Sequence, residues 1–190
     1  MQMLQPINSI EPRTYKPGAI ACWLFFIFAA VEYPIFANST IESHMIKIEY
    51  PATKPSIKNE SGKELVFCMI RKRWVVLTPE EWVRQNFLLY LIETMNYPAS
   101  LIAVEKQILF GDVKKRFDMV VFDRNSKPFM IVECKEMNVP LTEPVLQQVL
   151  RYNTNLQASY LLITNGGHCA GFQTKQGQFS AIDTMPVFEN

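Results

Sequence analysis

Residues 117–135 read FDMVVFDRNSKPFMIVECK, two apolar runs on either side of the polar break Arg124-Asn125-Ser126-Lys127. Runs of this length, rich in Val, Ile and Phe and joined by a short turn-forming segment, read as an antiparallel hairpin. The hairpin constrains the chain strongly, because it carries charged residues inside strands that otherwise call for burial. With Asp123 paired to Pro128 and Phe122 to Phe129, the register carries down the ladder until Asp118 stands opposite Glu133. Directly opposed residues have Cβ atoms about 4.5–5.5 Å apart. Alternation then puts Lys135 on the face of Glu133 and turns Cys134 away. Two carboxylates that close repel, and burial adds to the cost of either charge. A divalent cation resolves the conflict: hard oxygen ligands on adjacent strands suit Mg2+, with Mn2+ as a substitute. Such an ion polarises a phosphodiester and acidifies a bound water, and a lysine beside it steadies the developing charge. The competing reading of a lone D…ExK pattern is a pair of strand-end acids salt-bridged to Arg116 and Lys135.

Around the hairpin the chain alternates helix and strand signals. Thr78 is a strong N-cap, Pro79 fits the first helical position, and Glu81 completes a T-x-x-E capping box. Val83, Phe87, Tyr90, Leu91 and Met95 keep helical spacing, and Asn96 and Pro98 stop that helix. Residues 101–110 carry Ile102, Val104, Ile108 and Phe110 at period two, a strand, and strands are expected at 116–123 and 128–135. Thr142 caps a second helix in which Val145, Val149, Tyr152 and Leu156 form one face, and YLLIT at 160–164 is a last strand. Glu64–Cys68 reads as a short strand and Ile46–Ile57 as an extended lead-in, whereas residues 168–190 show no clear period. The order helix, three strands, helix, strand predicts an α/β fold with a small mixed sheet flanked by helices.

The chain's 190 residues, 48% of them hydrophobic, suffice for one packed domain, expected over residues 45–190. A net charge of +1 neither demands nor excludes a nucleic-acid partner, but Arg71-Lys72-Arg73 and Lys114-Lys115-Arg116 are local basic clusters. Four cysteines with no CxxC pair, and only His44 and His168 beside them, speak against zinc and suit a reducing cytoplasm. Residues 1–44 form an N-terminal extension containing Ala19–Val31, thirteen uncharged residues. A bilayer span needs about 20 apolar residues, so no stable membrane association is expected of this run. Its length fits a signal-peptide core with Arg13 and Lys16 ahead of it, and the other reading is that the functional product begins at Met45.

Five blocks in this order, LTPEEWVRQ (77–85), KRFDMVVFD (115–123), IVECK (131–135), QQVLRYN (147–153) and LITNG (162–166), resemble the PD-(D/E)xK nuclease superfamily. The resemblance is in particular to the domain at the N-terminus of type I restriction enzyme R subunits, and it runs from Arg71 to Gly167. It implies a restriction-endonuclease-like αβββαβ core and a Mg2+-dependent DNA endonuclease of the restriction or defence type. By the same resemblance Asp118 and Glu133 would hold the metal and Lys135 would be the catalytic lysine. Glu81 matches the family's first-helix acid, a further metal ligand, with its capping-box role as the alternative. Gln148 and Tyr152 look like the QxxxY motif of RecB-like relatives; four apart on a helix, they share a face that can reach DNA backbone or the metal. Arg84, Lys115 and Arg116 are candidates for phosphate contacts. The chain departs from the family pattern at Phe117, where a proline usually precedes the aspartate. R subunits also carry a translocating ATPase, but no GxxxxGK[ST] loop occurs here. The expected partners are therefore DNA, restriction-modification subunits or a motor protein in trans, and a second copy in a homodimer. The reading from another class is a catalytically silent nucleic-acid-binding or interaction module of the same fold.

Overall fold

The computed structural model describes residues 45–110, 113–153, 158–176 and 178–188, all within the unit Tyr33–Asn190. The expectations for residues 1–44 lie outside the described residues. The chain first forms an antiparallel meander of β1 (Ile57–Glu60), β2 (Lys63–Cys68) and β3 (Arg73–Val76). Helix α1 (Pro79–Leu89) follows, then β4 (Ile102–Phe110), β5 (Val113–Phe122), β6 (Pro128–Cys134), α2 (Glu143–Asn153), β7 (Tyr160–Thr164), β8 (Cys169–Lys175) and β9 (Gln178–Ile182). Strands β4 to β9 make one sheet in sequence order, antiparallel except where β6 and β7 run parallel on either side of α2. The expected αβββαβ core is thus present as α1-β4-β5-β6-α2-β7, with the meander ahead of it and a β-hairpin behind.

Local chemistry accounts for the boundaries. The Glu81 amide donates to Thr78 Oγ1 at 3.0 Å, so the cap forms as the sequence dictates. At the other end the helix widens into a π-type turn over Tyr90–Thr94, and Met95 N–H donates to the Tyr90 carbonyl at 3.0 Å. Asn96 then stops it with a left-handed φ of 57°.

The β5–β6 hairpin closes one residue tighter than expected. The Asp123 carboxylate accepts from the Asn125 and Lys127 amides at 2.9 and 2.8 Å, holding the loop in an Asx-type turn. Phe122 therefore pairs with Pro128, not Phe129, and a shift between Val121 and Phe122 absorbs the offset. Beyond the shift, Val121–Met130, Val120–Ile131 and Met119–Val132 pair as the sequence predicts.

Each face of the large sheet carries one helix. Val83, Phe87, Leu88 and Leu91 of α1 and its extension bury against Met119, Val121, Met130 and Val132. Leu146, Val149 and Leu150 of α2 bury against Val120, Ile131, Leu161, Ile163 and Phe172 on the other face. At roughly 1.5–3 kcal/mol for each buried large apolar side chain, these layers hold the helices down. The buried face of α2 differs from the one expected: Leu146 and Leu150 are fully buried while Val145 is half-buried. Strands β1, β3, β8 and β9 were not legible as strands. Cys169 to Phe172 of β8 are all buried, so no alternation marks them.

Two kinds of buried proton tie stability to pH. Burial pushes the Cys169 thiol up to about 12 from an ordinary 9.0, and it raises the Tyr97 phenol, whose hydroxyl donates to the Pro186 carbonyl at 2.8 Å. Above the unfolded-state values the unfolded chain holds fewer protons than the native one, so stability falls as pH rises. The urea midpoint should decline between about pH 8 and about pH 10.5, each such group contributing up to ~1.4 kcal/mol per pH unit. Tyr97→Phe should start about 1 kcal/mol lower through the lost hydrogen bond and then decline less steeply. Equal slopes in the two proteins would refute this account.

Candidate active site

The ladder between β4 and β5 is interrupted where it matters. Val104 pairs with Met119 and Lys106 with Phe117, which leaves Glu105 and Asp118 facing each other at a break between the two pairs. Glu105 takes φ 50°, a left-handed conformation that a glutamate adopts only under local constraint. On β5 the break resets the alternation: Phe117 belongs to the core layer under α2 and Met119 to the layer under α1. Asp118 is consequently turned toward α1. Its Oδ1 accepts from Arg84 Nη2 at 2.8 Å, and its Oδ2 accepts from the Cys134 amide at 2.7 Å.

That second bond brings Asp118 to the end of β6, where Cys134 separates Glu133 from Lys135. From Met119–Val132 to Val121–Met130 the backbone register is the expected one, but the side chains of Asp118 and Glu133 do not share a single face as register alone suggests. Glu133 pairs with Ile163 and alternates onto the side of Ile131, the α2 side, while Asp118 points to α1. Both acids still act on the Cys134 thiol, which burial first, then Asp118, then Glu133 raise well above its ordinary value against an opposing effect from Arg84. Lys135 is half-buried, with its amide bonded to the Thr164 carbonyl at 2.8 Å.

Two arginines organise the acids. Arg84, 4% exposed, bonds Glu81, Glu80 at 2.7 Å and Asp118. Burial alone lowers its pKa, but Asp118 and then Glu81 outweigh burial and hold it above its ordinary value. Arg71, from the β2–β3 turn, bonds Glu81 and reaches Glu105 at 2.5 Å. Gln85 donates to Glu81 at 2.7 Å. The Glu81 amide completes the helix cap, but the carboxylate is turned to these three partners. Sequence reading missed Glu105 and Gln85 and placed Arg71 only within a local basic cluster. The one available signal for Glu105 is an acid in the middle of the alternating run LIAVEKQILF.

The remaining expected residues are placed as follows. Arg116 is exposed and lies 3.8 Å from Glu105. Lys115 lies on β5, and Gln148 and Tyr152 lie one helical turn apart on α2; the side chains of these three are outside the described residues. Among the described residues, no three or more Asp, Glu, His or Cys side chains gather at metal-ligating spacing.

The α1-to-β7 core, with this site in the middle of β5 and at the end of β6, is the setting for the family assignment. Residues 79–186 match the family described as type I restriction enzyme R protein N terminus (HSDR_N). The match covers more than half of the 190 residues, and the chain belongs to this family. Among solved structures, it is 19% identical to a fragment assigned as an HsdR subunit of a type I restriction enzyme from Vibrio vulnificus YJ016, with a TM-score of 0.43. That alignment covers 58% of this chain and 24% of the other, so the chain spans about a quarter of its length. A protein from Anabaena variabilis ATCC 29413 assigned as a nuclease belonging to DUF820 is 14% identical over 72% of this chain and 84% of that one, with a TM-score of 0.41. No curated protein matches the chain.

The arginine between the acids sets a test of the site's architecture. Arg84→Met leaves Glu81 and Asp118 without their shared cation and should cost about 3–5 kcal/mol in urea unfolding. Arg84→Lys keeps the charge but loses the fork that spans three carboxylates, and should fall between the two. A loss below ~1 kcal/mol in Arg84→Met would mean that the network is solvated and carries little.

Proposed function

We propose that this chain is a Mg2+-dependent DNA endonuclease of the restriction type that acts in the cytoplasm. The observation that carries the reading is the bond from the Cys134 amide to Asp118, which joins the strand aspartate to the backbone between Glu133 and Lys135. Charge supports a cation here. Arg71, Arg84 and Arg116 face Glu80, Glu81, Glu105 and Asp118, three cations against four carboxylates, before Glu133 and Lys135 are counted. Their donors are hard oxygens, and Mg2+ needs only one or two of them beside water and substrate phosphate. Asp118, partly open to solvent, would hold the ion, and Glu133 would join it only by turning across the strand end from the α2 side; the bound ion would polarise the phosphodiester and acidify water. Glu81 would act mainly by fixing Arg84 and Arg71, since its carboxylate is already shared between them.

The chain's own residues then divide the work. Arg84 keeps the Asp118 carboxylate aimed. Lys135 orients the attacking water or stabilises charge on the phosphoryl oxygens. Arg116, Lys115, Gln148 and Tyr152 contact the DNA backbone, and Arg84 reaches phosphate only if it leaves a carboxylate. Restriction-modification subunits, or a motor acting in trans, would supply translocation, and a homodimer would supply the second strand's cut. One observation favours the silent-module reading: both Asp118 oxygens already have partners, one of them a guanidinium.

Nicking of supercoiled plasmid separates the two. The purified protein should nick with Mg2+ or Mn2+ and stop with EDTA, and Lys135→Ala and Asp118→Asn should each lose about two orders of magnitude or more. Metal-dependent nicking that survives both substitutions would show that the site lies elsewhere. Folded protein that binds DNA and never nicks it would favour the silent module.

A further inference from the structure

The meander presents an outer face that the proposed nuclease site does not use. Along β2, Val66 and Cys68 are fully buried, and the alternate positions carry Leu65 and Phe67. Phe67 pairs with Trp74 across the ladder and Leu65 pairs with Val76, so both faces of this small sheet are apolar. A half-solvated sheet ordinarily turns polar residues outward. Here Phe67, Trp74 and Val76 remain 36%, 37% and 54% exposed. The Phe67 and Trp74 rings stand edge to face with centroids 5.4 Å apart. Cross-strand aromatic pairing accounts for their contact with each other; it does not account for the ring surface left in water.

Charge identifies the kind of partner. Lys58 pairs with Leu65 and holds its ammonium 4.8 Å from the Trp74 ring centroid, so the platform already accepts a cation over its aromatic surface. With Arg71 set aside, since Glu81 and Glu105 already pair with it, residues 54–76 contain Lys54, Lys58, Lys63, Lys72 and Arg73 against Glu60 and Glu64, a net +3 where the whole chain carries +1. Aromatic faces interleaved with lysines suit unpaired bases joined by phosphates, because every base offers a ring to stack on and every phosphate a charge to neutralise. Duplex DNA keeps its bases stacked inside the helix and offers these rings nothing comparable.

We infer that the outer face of the β1–β2–β3 meander binds single-stranded nucleic acid, with Phe67 and Trp74 stacking on bases and Lys58, Lys63 and Lys72 meeting phosphates. The meander lies ahead of residues 79–186, the span matched to the family. It is also tethered to the acids: Arg71, in the turn between β2 and β3, bonds Glu81 and Glu105. A strand held on the meander is thereby held by an element fastened to the candidate site.

Binding is measured on the full-length protein in EDTA, so that cleavage plays no part and a failed nuclease reading leaves the result intact. The probe is a fluorescein-labelled thymidine oligonucleotide of about 20 residues, compared with a duplex of the same length. The parent protein should prefer the single strand. Trp74→Ala should weaken it about tenfold or more, while Trp74→Phe, which keeps a stacking ring, should stay within about threefold. Lys63→Gln and Lys72→Gln should lower the salt dependence at exposed positions where folding is not at stake. Unchanged single-strand affinity in Trp74→Ala and Phe67→Ala, or an equal preference for duplex, would overturn the proposal. So would a dimer in sedimentation that Trp74→Ala dissolves without effect on the oligonucleotide, which would assign the face to a second copy.

Discussion

Arg84 leaves α1 almost wholly buried and meets three carboxylates, two from its own helix and Asp118 from β5. Much else follows from that placement. Removing a guanidinium from water costs several kcal/mol, which is recovered only when its donors find well-aligned anionic partners. The partners therefore cannot drift: Glu80 and Glu81 are fixed by the capped first turn of α1, and Asp118 by the Cys134 amide on the far side. The arginine thus fastens the helix to the sheet through polar contacts at one end, while Phe87, Leu88 and Leu91 fasten it by burial along its length. Even so, the Nε atoms of Arg71 and Arg84 have no hydrogen-bond partner among the described residues. An apolar replacement would pack at lower cost than this, and such costs are tolerated mainly where the charges have work to do.

The strain at Glu105 belongs to the same arrangement. A regular ladder through β4 and β5 would have kept Phe117, Met119 and Val121 on one face and sent Asp118 to the other, beneath α2. The break lets Phe117 and Met119 enter different core layers, so Asp118 reaches α1 without exposing an apolar neighbour. Glu105, opposite it, carries the unfavourable φ and is held by Arg71. Backbone strain of this kind costs roughly 1–3 kcal/mol and persists only when the surroundings over-determine it. Two ion pairs and two buried layers supply that constraint here.

How far the sequence reveals this depends on the range of the interaction. The α1 cap is visible in Thr78-Pro79-Glu80-Glu81 because capping is decided within four residues. The body of the β5–β6 register is visible because both strands carry their own alternation and a short loop joins them, although Asp123 pulling in the Asn125 and Lys127 amides closes the end one residue early. The side toward which Asp118 points was not legible, since it depends on a break shared with β4. Nor was the pairing of Arg71 with Glu105, 34 residues apart, because no local pattern records it. In α2, Val149 of the expected stripe is buried, but Leu146 and Leu150 are buried beside it and Val145 is only half-buried, so the apolar face is centred away from Val145. Strand β8 escaped notice because a strand buried on both sides has no period to read.

The carboxylates gathered around two arginines also limit what the site can be for. If stability alone were served, each guanidinium would be matched by the charge it needs and surplus acids would be disfavoured by their mutual repulsion. Glu105 and Asp118 meet across a broken ladder, Glu80 and Glu81 adjoin on one helix turn, and Glu133 stands one residue from the amide that holds Asp118. That surplus is an electrostatic debt which burial makes larger. A bound divalent cation removes it, and a phosphate backbone alone would enlarge it. On the proposed function, an anionic polymer would approach this end of the sheet in company with such a cation, or along flanking positive surface such as Arg116 and the meander's lysines. On the function proposed above, the arrangement would couple nucleic-acid approach to cation binding, which a metal-dependent phosphodiesterase requires and a simple binding module does not.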